Sequence, residues 1–384
     1  MFSNNLVTKR TYLPQLDSLR VFAILGVLVL HYLNPPSLPW IFKFLNWGHL
    51  GVRLFFVLSG FLITGILIDC RDQAEKTPNT SLFSIRQFYI RRFLRIFPIY
   101  YLVLAIVLFF NVPPSREIWP WLVSYTSNIY IWLHQTWIGS VGHFWTLAVE
   151  EQFYLIWPWL VLFAPRKKLI FAILGIILLA PLFRYYAITQ YPEDFYNGLR
   201  TTGTFTFASL DSLGIGALLS IVYRYKRETL IKYLTRIVLP AGIGALLLLD
   251  LLAYYKLKFR LLITFEDIAY ALIFCWLIGK ASLSFKGIPG KILEFKPLIY
   301  LGKISYGVYI YHPLVPLLLA SIFHQFGATY PETGWFTFFT SSTITILIAS
   351  LSWFLFEKPI NRLKRYFRYN RNGKVFSPSK VAEI

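Results

Sequence analysis

The sequence predicts an all-α polytopic membrane protein with about ten transmembrane helices. Of its 384 residues, 56% are hydrophobic and only 15% are charged, whereas a soluble domain carries about 25% charged residues. Apolar windows of about 18 residues or more, long enough to cross a bilayer, recur along the chain. The lysines and arginines between them collect in alternate loops, as the positive-inside rule predicts for a multi-pass protein.

Each predicted helix follows from an apolar window. The first begins near Asp17, which follows Pro14 and whose carboxylate can accept from backbone N–H groups at an N-cap. Pro35, Pro36 and Pro39 are expected to end it. The spans lie at about 17–33, 50–68, 96–110, 143–163, 168–187, 203–223, 237–255, 261–279, 298–322 and 335–356. Residues 113–142, rich in Trp and Tyr but only moderately apolar, are typical of an interfacial or re-entrant segment.

The distribution of basic residues predicts that both termini are cytoplasmic. Loops on the side of the termini hold 28 Lys and Arg, and the opposite loops hold seven, with residues 256–260 as a local exception. We therefore expect a cytoplasmic N-terminus over 1–15, a membrane domain over 16–357 and a basic cytoplasmic tail over 358–384. The net charge of +20 does not indicate nucleic-acid binding, because no nucleic-acid-binding motif accompanies it.

Arg20 and His31 lie inside the first apolar window, where a charge costs roughly 2.5–3.5 kcal/mol. Eleven residues are about three helical turns, so both side chains lie on nearly one face, about 16.5 Å apart. A histidine that titrates near neutral pH is suited to act as general base for a hydroxyl group. Alternatively, Arg20 pairs with Asp17 and His31 packs at the helix end.

Three further groups of polar residues could contribute to a site. Ser59 and Gly60 thin the side-chain layer of the second helix, for a ligand or for helix packing. The cluster Arg86, Arg91, Arg92 and Arg95 suits the phosphates of a cytosolic cofactor or anionic lipid headgroups. Adjacent Glu150 and Glu151 could orient a catalytic imidazole or form a structural ion pair with a buried arginine.

The late segment ISYGVYIYHP adds Tyr306 and Tyr309, at i,i+3, and His312, which could line a cavity. His49, His134, His143 and His324 lie at loops or helix starts and receive no catalytic role. Cys70 and Cys275 stand in unrelated windows, and the sequence contains no metal-binding, P-loop or GxSxG pattern, so no metal site is predicted.

Together these motifs resemble those of the acyltransferase family 3 membrane proteins. The resemblance covers about residues 12–365, and Thr146 stands where the family usually has Ser. The matching segments, in order, are LDSLRVFAILGVLVLHY, GVRLFFVLSGFLI, RRFLRIFPIYY, FWTLAVEEQFYLIWP, ISYGVYIYHP and FEKPINR.

The resemblance implies O-acyl transfer, usually of acetyl, from cytosolic acyl-CoA to a hydroxyl group of a carbohydrate or lipid-linked glycan. Acyl-CoA is then a co-substrate, and no permanently bound cofactor is expected. The protein would reside in the bacterial cytoplasmic (inner) membrane, in contact with its lipids. Both a monomer and a homo-oligomer are compatible with the resemblance. Many members carry a C-terminal SGNH hydrolase-like domain; because the sequence stops soon after the tenth predicted helix, we expect a stand-alone membrane domain.

Together with this resemblance, the residues predict separate roles in catalysis, donor binding and acceptor binding. His31 is the expected base, aided by Glu150 or Glu151, and attack on the thioester is either direct or passes through an acyl group on His31 or Ser59. The donor-binding set is Arg20, Arg92, Arg95, Ser59 and Gly60, and the acceptor-pocket set is Tyr306, Tyr309 and His312. The alternative from another class is a multi-pass transporter or flippase for a glycan or acylated substrate, in which these polar groups form gates or proton relays.

Overall fold

The computed structural model describes residues 12–33, 46–77, 80–190, 195–255 and 264–369. All regular secondary structure in these ranges is helical, with no β-strand. The prolines expected to end the first helix and the loop 256–260 lie outside the described residues, as do most of the predicted N-terminal segment and the end of the basic tail.

Eighteen α-helices are named here in chain order. The first nine are α1 (Pro14–Leu28), α2 (Trp47–Ala74), α3 (Ser81–Phe109), α4 (Trp119–Val123), α5 (Ser127–His134), α6 (Phe144–Phe163), α7 (Arg166–Gln190), α8 (Phe195–Thr202) and α9 (Leu210–Tyr225). The remainder are α10 (Arg227–Tyr233), α11 (Leu239–Tyr254), α12 (Glu266–Ser282), α13 (Gly287–Leu293), α14 (Lys296–Lys303), α15 (Ser305–Tyr311), α16 (Leu314–Gln325), α17 (Trp335–Ser352) and α18 (Lys358–Arg362). Helix α1 continues into a π-helical turn, Val29–Leu33.

Helix α2 is the centre of the bundle, because α1, α6, α9 and α12 all pack against it. Its crossing with α9 depends on Gly60 and Gly216. A Cβ atom on Gly60 would collide with the carbonyl oxygen of Leu213, and one on Gly216 with that of Val57. Small residues that let two backbones touch are the usual device for close helix packing in membranes.

In the described ranges, seven helices are long and apolar enough to cross a membrane, or nine if each of two bent pairs forms one span. The polytopic helical class is therefore confirmed, whereas the count of ten and the sidedness remain predictions. Helix α6 is not among the seven, and Glu150, Glu151 and Gln152 lie in its middle.

Two predicted boundaries were wrong at the charged ends of helices. Helix α1 begins at Pro14, which places Asp17 inside the first turn rather than at the N-cap. The basic cluster lies within α3 instead of preceding it. At 1.5 Å per residue, the 29 residues of α3 span about 43 Å, more than the hydrocarbon core of about 30 Å, so its charged turns can extend beyond the bilayer.

The predicted ninth span is three helices, α14, α15 and α16, with a bend of 50° between the last two. Proline 313 lies at that bend and has no N–H to donate to the carbonyl of Tyr309. The Nδ1–H of His312 donates to this carbonyl instead, at 2.6 Å. The break in the helix therefore frees the carbonyl that orients the ring of His312, a predicted site residue.

Candidate active site

A cavity with about 780 Å³ of empty space, part of it open to the surroundings, lies between α1, α2, α3, α6 and α15. Its apolar wall comes mainly from α2, including Val52, Phe55 and Leu62. The polar side chains that line it are Arg20, Ser59, Arg92, Arg95, Thr146, Glu150, Tyr154, Ser305, Tyr306 and Tyr309. Seven of the predicted site residues thus line one cavity.

Three arginines give the cavity its positive charge. Arg20 donates a hydrogen bond to Asp17 within an ion pair, which the sequence offered as an alternative to ligand binding, yet it also lines the cavity. Neither Arg92 nor Arg95 forms an ion pair with a carboxylate among the described residues. Two unpaired guanidinium groups beside a third are suited to the phosphate oxygens of a ligand.

Asp17 is held from both sides. The phenol of Tyr12 donates to its second carboxylate oxygen at 2.6 Å. Burial, together with this hydrogen bond, raises the pKa of Tyr12, so the phenol stays a neutral donor at physiological pH. Asp17 therefore holds Arg20 in place at the cavity wall.

The two carboxylates of α6 have different surroundings. Ser59 donates to Glu150 at 2.5 Å, across the α2–α6 contact and within the cavity. Glu151 is not a lining residue, and its Oε1 is buried without a hydrogen-bond partner. Within the described structure, neither carboxylate forms a hydrogen bond with His31 or an ion pair with Arg20.

Tyr309 and Thr146 both line the cavity. Their hydroxyl groups form a hydrogen bond of 2.6 Å, and the phenol of Tyr309 also contacts the carbonyl of His143 at 3.1 Å. The ring of Phe55 lies edge-on to Tyr309, with centroids 6.2 Å apart. Tyr309 thus faces the cavity on one side and a group of histidines on the other.

Three imidazole rings form this group, which we call the histidine cluster. His312 lies 4.9 Å from His31 and 5.4 Å from His143 between ring centroids. His31 is exposed in the π-helical turn, whereas His312 and His143 are buried. No group of His, Cys, Asp or Glu in the described ranges is arranged to hold a metal ion.

The bonds of His312 and His143 define their tautomers. Each Nδ1 faces a backbone carbonyl, at 2.6 Å from Tyr309 and 3.2 Å from Ser140. A carbonyl can only accept, so each Nδ1 carries the proton and each Nε2 is left with a lone pair. The cluster therefore offers proton acceptors next to exposed His31.

The predicted site residues divide into two groups. Arg20, Ser59, Arg92, Arg95, Glu150, Tyr306 and Tyr309 line the cavity, and His31 and His312 meet beyond the Tyr309–Thr146 contact. Gly60 packs against Leu213, and Glu151 lies outside both groups. Their roles in binding and catalysis remain predictions.

Sequence reasoning missed His143, Thr146 as a bonding partner, and Tyr154. His143 lies at the start of a helix and is far from His31 and His312 in the sequence. Its contact with them therefore could not be predicted from the spacing. The ring of Tyr154 lies 5.4 Å below the guanidinium of Arg92. A cation–π contact of this kind orients the arginine without neutralising it.

Arg53 of α2 is buried in an ion network. It pairs with Asp267 at 2.7 Å, and Asp267 also contacts Arg184 at 3.1 Å. Arg184 lies within α7 and pairs with Asp211 at 2.6 Å. Asp211 is fully buried, so this ion pair is shielded from the surroundings.

A family model described as an acyltransferase domain matches residues 13–354. The peptidoglycan O-acetyltransferase OatA of Listeria monocytogenes is 31% identical over 96% of this chain and 59% of its own length. The putative peptidoglycan O-acetyltransferase YrhL of Bacillus subtilis is 28% identical over 91% of the chain and 55% of its own. The O-acetyltransferase OatA of Staphylococcus aureus is 27% identical over 91% of the chain and 57% of its own.

The chain thus spans less than two thirds of the length of each of these relatives. No solved structure shows a significant match.

Proposed function

This chain belongs to acyltransferase family 3, and from that premise we propose that it transfers an acyl group, in the first instance acetyl, from acyl-CoA to a carbohydrate hydroxyl. The main observation behind the proposal is that the arginine-lined cavity and the histidine cluster adjoin at one residue, Tyr309. A cavity with three arginines reaches Tyr309, and the histidine cluster begins on the other side of the same residue. The family and the relatives support an O-acetyltransferase that acts on a glycan.

Arg92, Arg95 and Arg20 would hold the phosphates of acyl-CoA. Phosphate oxygens accept charge-assisted hydrogen bonds from guanidinium groups, and the bidentate geometry fixes the direction of the ligand. The apolar wall of α2 would then accommodate the pantetheine arm. The Tyr309–Thr146 contact would have to open for the acyl group to meet the histidine cluster.

His31 would act as general base in direct transfer. It would take the proton of the acceptor hydroxyl as that oxygen bonds to the thioester carbonyl carbon. The carbon–sulfur bond would break, and the thiolate of CoA would recover the proton, so the products are the acyl ester and CoA thiol. The lone pair on Nε2 of His312, whose ring contacts that of His31, would be the next proton acceptor.

The proposal predicts a split between two kinetic constants. Arg92→Ala should raise the KM for acyl-CoA about tenfold or more with a smaller loss of kcat, because a charge-assisted contact to phosphate contributes roughly 1.5–3 kcal/mol. His31→Ala should lower kcat at least 100-fold, the usual contribution of a general base. The measurement is transfer of radiolabelled acetyl from acetyl-CoA to a soluble glycan by the purified protein in nanodiscs.

Arg86→Ala is the matched control, because Arg86 lies on the same helix but is exposed and does not line the cavity. An unchanged KM in Arg92→Ala would contradict donor binding by the arginines. Full activity in His31→Ala at normal protein level would contradict the base.

The transporter or flippase alternative has no support from the family or the relatives. The same assay distinguishes it from the enzyme. A transporter would leave the label on CoA, whereas the proposed enzyme makes a labelled glycan without needing a closed membrane compartment.

A further inference from the structure

Arg200 and Trp137 form a pair on the histidine side of the molecule that the proposed mechanism does not use. The guanidinium carbon of Arg200, an exposed residue, lies 4.4 Å from the ring centroid of Trp137. This distance is well within the range of a cation–π contact. The side chain is therefore held over the ring while its guanidinium edge remains accessible.

Trp137 is fixed next to the histidine cluster. A Cβ atom on Gly142 would lie 2.6 Å from the indole ring, so the ring rests directly on the backbone one residue before His143. His143 in turn contacts His312. The pair thus lies beside the histidine cluster, which includes the proposed base His31.

The backbone that carries Arg200 is fixed as well. Thr201, almost completely buried, donates to Gln135 at 2.5 Å. Thr204 donates back to the carbonyl of Thr201 at 2.7 Å. These bonds join the end of α8 to the loop before Trp137, so Arg200 and Trp137 are held as one unit.

The charge of Arg200 is not neutralised within the described part of the chain, where no carboxylate pairs with it. Arg53 and Arg184, which lie in the same half of the bundle, are both paired with aspartates. An arginine stacked on an aromatic ring keeps its in-plane N–H groups free for two parallel hydrogen bonds to an oxyanion.

We propose that Arg200, supported by Trp137, is an acceptor subsite that binds an oxyanion of the glycan while the acceptor hydroxyl faces His31. This inference rests on the proposed function and specifies its acceptor as anionic. A sugar carboxylate and a phosphate of a lipid-linked glycan share the required chemistry. An anchored anion would orient the hydroxyl group, which lowers the KM for the acceptor.

The test compares Arg200→Gln with wild type on three acceptors. They are a muramic-acid-containing oligosaccharide with free carboxylates, the same compound with its carboxylates converted to amides, and a neutral sugar linked to polyprenyl pyrophosphate. We expect Arg200→Gln to raise the KM about tenfold for an anionic acceptor and less than twofold for the amide. The acceptor that shows the loss identifies the source, carboxylate or phosphate.

Arg116→Gln is the matched control, because Arg116 is also exposed but donates to the carbonyls of Leu108 and Phe109 at the end of α3 instead of stacking on Trp137. Arg200→Lys should recover only part of the affinity, since a lysine cannot form the bidentate contact. Equal losses on all three acceptors, or no loss on any, would overturn the subsite.

The KM for acetyl-CoA, measured in the same assays, separates this inference from the proposed function. Equilibrium binding of the three acceptors to the purified protein needs no turnover. If wild-type protein transfers no acetyl group but binds the anionic acceptors more weakly after Arg200→Gln, the transfer proposal fails and the subsite stands. If binding does not depend on Arg200, the subsite fails whatever the activity.

Discussion

At the scale of single residues, the hydrogen bond between Ser59 and Glu150 decides how many positive charges the cavity offers. Glu150 lines the same wall as Arg92 and Arg95 but is bonded to Ser59 instead of either arginine. A carboxylate released from this bond could turn to a guanidinium and neutralise it. Ser59 is therefore, in our interpretation, a positioning residue that keeps the arginines free for phosphate.

Ser59→Ala should raise the KM for acyl-CoA several-fold, and Glu150→Gln in the same chain should restore it, because the competing carboxylate is gone. The measurement is a double-mutant cycle on KM, in which coupled residues give non-additive effects. Ser220→Ala, a buried serine of α9 outside the cavity, is the control. A loss of kcat alone in Ser59→Ala, together with labelled acyl retained on Ser59 of the denatured wild-type protein, would instead support the two-step route.

At the scale of helices, the apolar windows predicted most of the architecture because helix formation in a bilayer follows from apolar length. The bend at Pro313 was harder to predict, since a proline within a long apolar window can also leave a span continuous. Its consequence, the Tyr309 carbonyl that binds His312, requires knowledge of the backbone. The sequence could therefore identify His312 as a candidate but not its tautomer.

The α2–α9 crossing yields a prediction about stability. Gly216→Ala should destabilise the protein by roughly 1–3 kcal/mol, because the new methyl group would collide with the carbonyl of Val57. Gly244→Ala in α11 should be neutral or stabilising, since nothing lies within 4 Å of its added Cβ. Thermal unfolding in detergent measures both, and equal midpoints for the two variants would contradict the close crossing.

At the scale of the whole molecule, the chain brings together residues that no local pattern connects. His31, His143 and His312 come from three distant segments, and their contact depends on how α1, α6 and α15 pack. The same holds for the network of Arg53, Asp267, Arg184 and Asp211, which joins α2, α7, α9 and α12. Sequence reasoning recognised individual polar residues because they are expensive in a membrane, whereas their partners are defined only by the tertiary structure.

The arginine-lined cavity and the histidine cluster lie toward opposite ends of the transmembrane helices. The distribution of basic residues predicts which of these ends is cytoplasmic. Helix α2 runs from the histidine side at Trp47 to the arginine side at Ala74, and Arg224 at the end of α9 meets Asp72 there at 3.2 Å. We expect the arginine side to be cytoplasmic, where acyl-CoA is available, and the histidine side to face outward. Both native cysteines are buried, so thiol labelling in intact cells should have a low background.

Thr136→Cys and Glu228→Cys place exposed thiols on the two sides, since Thr136 precedes Trp137 and Glu228 follows α9. A membrane-impermeant maleimide should label Thr136→Cys in intact cells and Glu228→Cys only after permeabilisation. The cysteine-containing wild type is the background control. The reverse pattern would place the arginines outside, away from cytosolic acyl-CoA, and would therefore overturn both the sidedness and the donor site that depends on it.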